Sequence, residues 1–89
     1  MMKTQNYSTF PKLTLVEEMI TLEGISTLTY GMKRGDEEFR DIWTDKEQVM
    51  ALIDFLNRKN DIETCHVWEA VEDFLDVVSR GLSYKEMIL

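Results

Sequence analysis

The chain has 89 residues, of which 44% are hydrophobic and 30% are charged, and its formal net charge is −7. This length supports one hydrophobic core, and the composition argues against a disordered tail. The negative charge opposes binding to a phosphate backbone, so we expect no nucleic-acid partner. No run reaches the roughly 18 apolar residues of a membrane span, and the first residues lack a signal-peptide pattern. Cys65 is the only cysteine, which excludes an internal disulfide, and we expect a cytoplasmic protein.

Strand patterns come first along the chain. Between residues 13 and 33, β-branched and aromatic residues are dense and helix-capping patterns are absent. Glu23-Gly24 suits a tight hairpin turn, because glycine accepts the positive φ that such turns need. The apolar residues of the first strand fall on odd-numbered positions at its start and on even-numbered positions towards its end, so they point to opposite faces. This change indicates either a bulge near Glu17-Glu18 or misjudged strand ends.

The second and third strands follow from the same alternation. Gly31 lies inside the second strand, where glycine indicates a bulge or the close approach of another backbone. Residues 34–37 form a turn, and residues 38–43 form a short third strand. Together the three strands predict an antiparallel meander.

The hydrophobic period changes from two to 3.6 at Thr44, which begins a capping-box pattern. This pattern predicts a helix over residues 44–59. A second helix is predicted from about residue 65 to residue 80, with Gly81 as its stop signal. Residues 83–86 predict a further helical turn, which is stable only if it is docked.

These elements predict an α+β fold, a three-stranded antiparallel β-meander followed by two α-helices packed on one face (βββαα). A short C-terminal helical turn is an optional addition. We expect a loose N-terminal arm over residues 1–12 and one domain over residues 13–89. A domain this small gains little net free energy from its own core, so a homodimer is also considered.

The second helix carries the predicted partner surface. Its apolar residues cover nearly half of its circumference, more than the roughly 100° that a surface helix needs. We expect the helix to contact the sheet on one flank and the first helix on the other, and a contact with another molecule through Trp68 and Leu75 is the second explanation. Four carboxylates follow on its other side at i, i+3 or i, i+4 spacing, which is unfavourable in an isolated helix. An ordinary solvated face is the alternative interpretation. The predicted partner-binding residues are Trp68, Leu75, Glu69, Glu72, Asp73 and Asp76.

Cys65-His66 is the only pair that resembles a nucleophile and its base. Adjacent helical side chains point about 100° apart, whereas catalysis needs the base within hydrogen-bond reach of the thiol. Packing at the edge of the core is the alternative for this pair. Carboxylates along one straight helix cannot surround a cation by themselves. We therefore predict no catalytic residue, no metal site and no cofactor.

Four short motifs resemble a family of short bacterial proteins, mostly from Gram-positive anaerobes, which is catalogued as a domain of unknown function. The resemblance covers roughly residues 13–76 and departs from the family pattern in the connection at residues 61–65. It implies a bacterial origin and a β segment followed by helices, and it implies no activity. The motifs are Tyr30-Gly31, Thr44-Asp45-Lys46-Glu47, Leu56-Asn57-Arg58 and Val71-Glu72-Asp73-Phe74-Leu75.

Three classes of function remain open. The first is a small acidic, non-catalytic protein-interaction or regulatory module that binds a protein partner or a second copy of itself. The second is an acidic inhibitor or antitoxin-like protein that covers a basic protein surface, with binding that weakens steeply with salt. The third is a small ligand-binding protein or enzyme with a pocket around His66, whose titration would then be shifted.

Overall fold

The computed structural model describes residues 11–59 and 62–87, and it confirms the predicted α+β architecture. Three antiparallel strands in the spatial order β1-β2-β3 precede the helices. Within the described residues, none of the helices has the length and apolar character needed to cross a membrane. Residues 1–10 of the predicted arm lie outside the described part of the chain. The elements are β1 (Thr14–Leu22), β2 (Ile25–Arg34), β3 (Glu37–Trp43), α1 (Lys46–Asn57), α2 (Thr64–Ser79) and α3 (Tyr84–Met87).

The β1–β2 hairpin has the predicted turn and a continuous register. Glu23 and Gly24 have φ values of 52° and 81°, as a two-residue hairpin turn requires. β1 then pairs with β2 along its whole length, so the predicted bulge in β1 is wrong. The parity of the apolar residues changes because Leu15 lies on the core face of β1, whereas Ile20 and Leu22 lie on the opposite face.

The irregularity of the sheet lies in β3 instead. Residues 30–32 of β2 oppose residues 39–43 of β3, so β3 has two more residues than its partner over this stretch. Asp41 lies in this bulge with a φ of 51°. A Cβ atom on Gly31 would overlap the carbonyl oxygen of Phe39. The close backbone approach predicted for Gly31 is thus confirmed.

The core lies between the sheet and the helices. α1 contacts all three strands, and α2 contacts β3 and α1. This arrangement explains why the second helix has an apolar arc wider than one stripe, since α2 has neighbours on more than one side. The most deeply buried side chains come from both layers and are Met32, Phe39, Val49, Leu52, Leu56, Val67 and Phe74.

α1 begins later than its capping pattern predicts. Asp45 is the N-cap, and its side chain accepts a hydrogen bond from the amide of Glu47 at 3.1 Å. Thr44 lies in the bend between β3 and α1. A carboxylate is favoured over a hydroxyl at this position, because the N-terminus of a helix carries positive partial charge.

The short α3 is docked on α1, as its length requires. The Oε1 atom of Gln48 accepts hydrogen bonds from the amides of Tyr84 at 2.8 Å and Lys85 at 3.2 Å. The ring of Tyr84 is buried and meets the ring of Phe74 edge-on at 5.0 Å. Burial, and then the charge of Asp73, raises the pKa of Tyr84. The predicted C-terminal turn is therefore part of the packed domain.

Asn57 joins the end of α1 to the start of β1. Its Oδ1 atom accepts from the amide of Leu13 at 2.9 Å, and its Nδ2 atom donates to the carbonyl of Leu13 at 3.0 Å. The Nζ atom of Lys12 donates to the backbone carbonyl of Asn57 at 2.8 Å. Because Leu13 is buried, its backbone groups depend on this side chain for their hydrogen bonds.

We expect Asn57→Ala to lower the free energy of unfolding by about 2 kcal/mol, because it leaves two partly buried backbone groups of Leu13 unpaired. Urea denaturation followed by circular dichroism measures this loss. Lys12→Ala is the matched control, since Lys12 is exposed and should change stability by less than about 0.5 kcal/mol. Equal losses in the two variants would contradict this account of Asn57.

Candidate functional site

The far end of the β1–β2 hairpin, residues 19–28, is an exposed two-stranded segment that we call the hairpin end. β3 stops pairing with β2 at Tyr30, so no third strand lies beside the hairpin end within residues 11–59 and 62–87. Its large apolar side chains are solvent-exposed, by 60% at Met19, 66% at Leu22, 69% at Ile25 and 39% at Leu28. Such a concentration of exposed apolar side chains is typical of a binding surface rather than of an ordinary hairpin.

A groove of about 360 Å³ lies on the face of the hairpin end that does not face the core. Its apolar side chains come from β1 and the start of β2, and its polar ones come from threonines and from the bulge of β3. One of its lining residues, Asp41, is ionisable. The lining residues are Ile20, Leu22, Ile25, Thr27, Thr29, Asp41 and Thr44.

The bulge of β3 fixes one wall of this groove. The hydroxyl of Thr29 is buried and donates to Oδ1 of Asp41 at 2.8 Å, with the carbonyl oxygen of Trp43 in reach at 3.2 Å. These contacts orient the Asp41 carboxylate at the side of the groove. The groove therefore has the fixed carboxylate of Asp41 at one side and the apolar side chains of β1 and β2 at its base.

The acidic residues of β1 near the groove are already engaged. The side chain of Glu18 accepts from Nε of Arg40 at 3.2 Å, and this hydrogen bond holds the pKa of Glu18 below its usual value. Glu17 lies 4.0 Å from the Nζ atom of Lys46. The neighbouring arginine and lysine thus have carboxylate partners, whereas Asp41 and Glu23 have no ion pair within the described part of the chain.

Sequence reasoning missed the hairpin end, although a signal for it was present. The turn at Gly35-Asp36 fixes the antiparallel register of the second and third strands. In that register, a third strand would have to continue beyond the start of the helix in order to lie beside the turn at Gly24. The first two strands must therefore extend beyond the third, and their apolar residues at that end lack a covering layer.

Most of the residues predicted to form the partner surface on α2 are exposed. Trp68 is 45% exposed, while one side of its indole packs against the ring of Phe39 at 4.9 Å. Leu75, one of the residues bordering the apolar arc, is half-buried. Arg80 pairs with Asp76 at 3.1 Å. The remaining predicted carboxylates are exposed, namely Glu69, Glu72 and Asp73.

Glu63, Cys65 and His66 lie together at the start of α2, with their potential ligand atoms within 4.8 Å of one another. A thiolate, an imidazole and a carboxylate are donor types that zinc accepts, and structural zinc sites use four such ligands. All three side chains are exposed, and no hydrogen bond within the described residues orients them. Among the described residues the thiol of Cys65 and the imidazole of His66 also share no hydrogen bond of the kind that a nucleophile and its base need.

His66 does not line the groove at the hairpin end. It is exposed at the start of α2, where the predicted pocket would have to form around it. The groove itself contains threonine hydroxyls and one carboxylate as its polar groups, a set that favours binding over acid–base chemistry.

The chain was compared with family models, with curated proteins and with solved structures, and no match was found in any of the three comparisons. The resemblance to the bacterial family of unknown function stays a prediction.

Proposed function

We propose that the protein is a small non-catalytic interaction module that binds another protein through the hairpin end. The observation that carries this proposal is the exposure of Met19, Leu22, Ile25 and Leu28 on one projecting two-stranded segment. Burying a large apolar side chain contributes about 1.5–3 kcal/mol. A partner that covers this segment would recover that free energy, which the isolated chain leaves unused.

The sequence of the hairpin end supports an interaction surface rather than a solvated turn. Exposed strands usually carry lysine or another charged residue, or a proline, and these residues prevent contact with other chains. Between residues 19 and 28, Glu23 is the only charged residue, and it lies in the turn itself. The apolar positions are therefore left accessible along both strands.

A second candidate function is the acidic cover of a basic protein surface. It is favoured by the exposed carboxylates of α2, of which Asp76 has an ion pair with Arg80 among the described residues. The net charge of −7 acts in the same direction. Such a contact should weaken steeply between low and high salt, whereas an apolar contact at the hairpin end should not.

The two surfaces are separated by affinity purification from a lysate of the organism that produces the protein. The hairpin variant is Leu22→Thr with Ile25→Thr, which keeps residues that favour strands and removes exposed apolar area. The helix variant is Trp68→Ala with Glu72→Lys and Asp76→Lys. We expect the hairpin variant to lose its partner by at least about 30-fold in affinity, at both salt concentrations.

The matched control is Met50→Thr with Leu82→Thr, which also removes two exposed apolar side chains but lies away from the hairpin end. This control should retain the partner. If the hairpin variant still captures the partner and the helix variant does not, the result would contradict the proposal and favour the acidic surface of α2.

A further inference from the structure

The backbone of the hairpin end has an open edge. A two-residue turn makes Leu22 and Ile25 a hydrogen-bonded pair, so alternate residues of β2 direct their amide and carbonyl groups towards β1. Ser26 and Leu28 direct theirs to the other side, where β3 would lie if it were longer. Pairing with β3 ends at Tyr30, so these four backbone groups have no strand partner among the described residues.

We infer that the partner inserts an extended segment beside this edge, in line with β3 and hydrogen-bonded to Ser26 and Leu28. This inference rests on the proposed function and specifies the partner's chemistry. The segment has apolar side chains at alternate positions and carries lysine or arginine between them. Adding a strand to an exposed sheet edge is a common mode of peptide recognition, in which backbone bonds give affinity and side-chain pockets give specificity.

The side chains beside the edge explain the apolar part of this segment. Side chains of an added strand alternate between the two faces of the sheet. On one face they would meet Ile25 and Thr27 in the groove, and on the other face they would meet Leu28. The face of Leu28 therefore offers apolar area to alternate residues of the partner, and the residues between them meet Ile25, Thr27 and Asp41 on the groove face.

The charges beside the edge explain the basic part. Asp41 lines the groove and Glu23 occupies the turn, whereas neither lysine nor arginine lines the groove among the described residues. Arg40 interacts with Asp41 through its charge but donates its hydrogen bonds to Glu18. The negative charge along the groove favours a cationic occupant, and opposite charges on neighbouring strands stabilise pairing.

A second copy of the chain fits this surface less well. Self-pairing along the whole outer edge of β1 would place Glu17 and Glu18 opposite themselves or each other. Self-pairing through the part of β2 that β3 leaves open, residues 25–29, would bring only Glu23 of the turn as a nearby charged side chain, and therefore no cation for Asp41. Charge complementarity thus selects a basic segment of a different protein.

Amide hydrogen exchange measured by NMR tests this inference at single residues. In the dilute free protein, Ser26 and Leu28 should exchange about tenfold or more faster than Thr27 and Thr29, which pair with β1. The probe is a blocked nine-residue peptide in which valine alternates with lysine or threonine. At saturation it should slow exchange at Ser26 and Leu28 by about tenfold or more, and a peptide with glutamate in place of lysine should not.

A proline substitution separates strand addition from simple contact with the side chains. Ser26→Pro removes an outward amide and keeps the ladder with β1, whereas Thr27→Pro removes an amide that faces β1 and should disrupt the hairpin. Ser26→Thr is the matched control with the amide retained. We expect Ser26→Pro to fold, to weaken the lysine peptide by about tenfold and to lose the cellular partner, while Ser26→Thr binds normally.

Four results would overturn strand addition. Protection of Ser26 and Leu28 in the dilute free protein would mean that the chain covers its own edge, and protection that grows with protein concentration would assign the edge to a second copy. Failure of both peptides to protect these amides would also contradict it. If Leu22→Thr with Ile25→Thr loses the cellular partner while Ser26→Pro keeps it, the proposed function stands and strand addition falls.

Discussion

Replacing Arg34 with methionine should lower the free energy of unfolding by about 3 kcal/mol. Arg34 is 3% exposed, and its Nε atom donates to Oε1 of Glu37 at 2.9 Å. Its Nη1 atom donates to the carbonyl of Ile62 at 2.7 Å, which ties the β2–β3 turn to the connection between α1 and α2. Methionine fills similar space but leaves both acceptors without this donor. Urea denaturation at pH 7 measures the loss.

Arg80→Met is the matched control for this prediction. Arg80 is exposed, and its ion pair with Asp76 should contribute less than about 0.5 kcal/mol. Comparable losses in the two arginine variants would contradict a special role for Arg34.

The pH dependence gives a second measurement on the Arg34→Met variant. Hydrogen bonds from Thr64 and then Arg34 lower the pKa of Glu37 in the folded protein. A lowered pKa contributes stability above the ordinary pKa of the carboxyl group, and this contribution is lost as the pH falls through the folded pKa. Part of the lowering disappears in the variant, so its stability should fall less steeply on acidification than that of the wild type.

Gly31→Ala should lower the free energy of unfolding by about 3 kcal/mol or more. The new Cβ would overlap the carbonyl oxygen of Phe39 and would lie 2.9 Å from Cα of Arg40 and 3.2 Å from the amide nitrogen of Asp41. All three are backbone atoms, so the contact cannot be relieved by a side-chain rotation. We expect the bulge of β3 to move, which thermal unfolding and the NMR signals of Thr29 and Asp41 would report.

Gly24→Ala is the matched control, because it makes the same chemical change at the hairpin turn. A Cβ at Gly24 has no atom within 4 Å, and its cost comes from the positive φ of 81° alone, about 1 kcal/mol. If the two glycine variants are equally stable, β2 and the bulge of β3 do not approach each other as closely as the structure places them.

The elements set by local patterns were predictable from the sequence. The turn at Glu23-Gly24, the helix stop at Gly81 and the helical turn after Ser83 each follow from residues within a few positions, and each has the expected conformation. The docking of that last turn on Gln48 depends on tertiary contacts instead. The start of α1 was misplaced by the competition between Thr44 and Asp45, two neighbouring side chains that can both cap a helix. The capping-box pattern favoured Thr44, whereas the helix dipole favours the carboxylate of Asp45.

The parts set by tertiary contacts were not predictable in the same way. Gly31 indicated an irregularity in the sheet. The segment that approaches it is a bulge of β3 with a positive φ at Asp41, and no sequence pattern near Asp41 predicts that bulge. The wide apolar arc of α2 indicated contacts with both the sheet and α1, which the structure confirms, but periodicity alone does not show how much of the arc these neighbours cover. Ile20 and Leu22 looked like ordinary strand residues because periodicity does not show which segments remain without a covering layer.

The placement of the hairpin end also has an evolutionary consequence. Met32 and Leu28 belong to the same strand, but the first is completely buried and the second faces solvent. Under the proposed function, substitutions near Ile25 would alter what the protein binds while the packing around Met32 stays intact. Binding at the hairpin end and folding would then diverge independently along one strand, so relatives with the same core should tolerate replaced or lengthened hairpin tips. Grafting a foreign hairpin between Glu18 and Thr29 is a direct route to engineered variants of this domain.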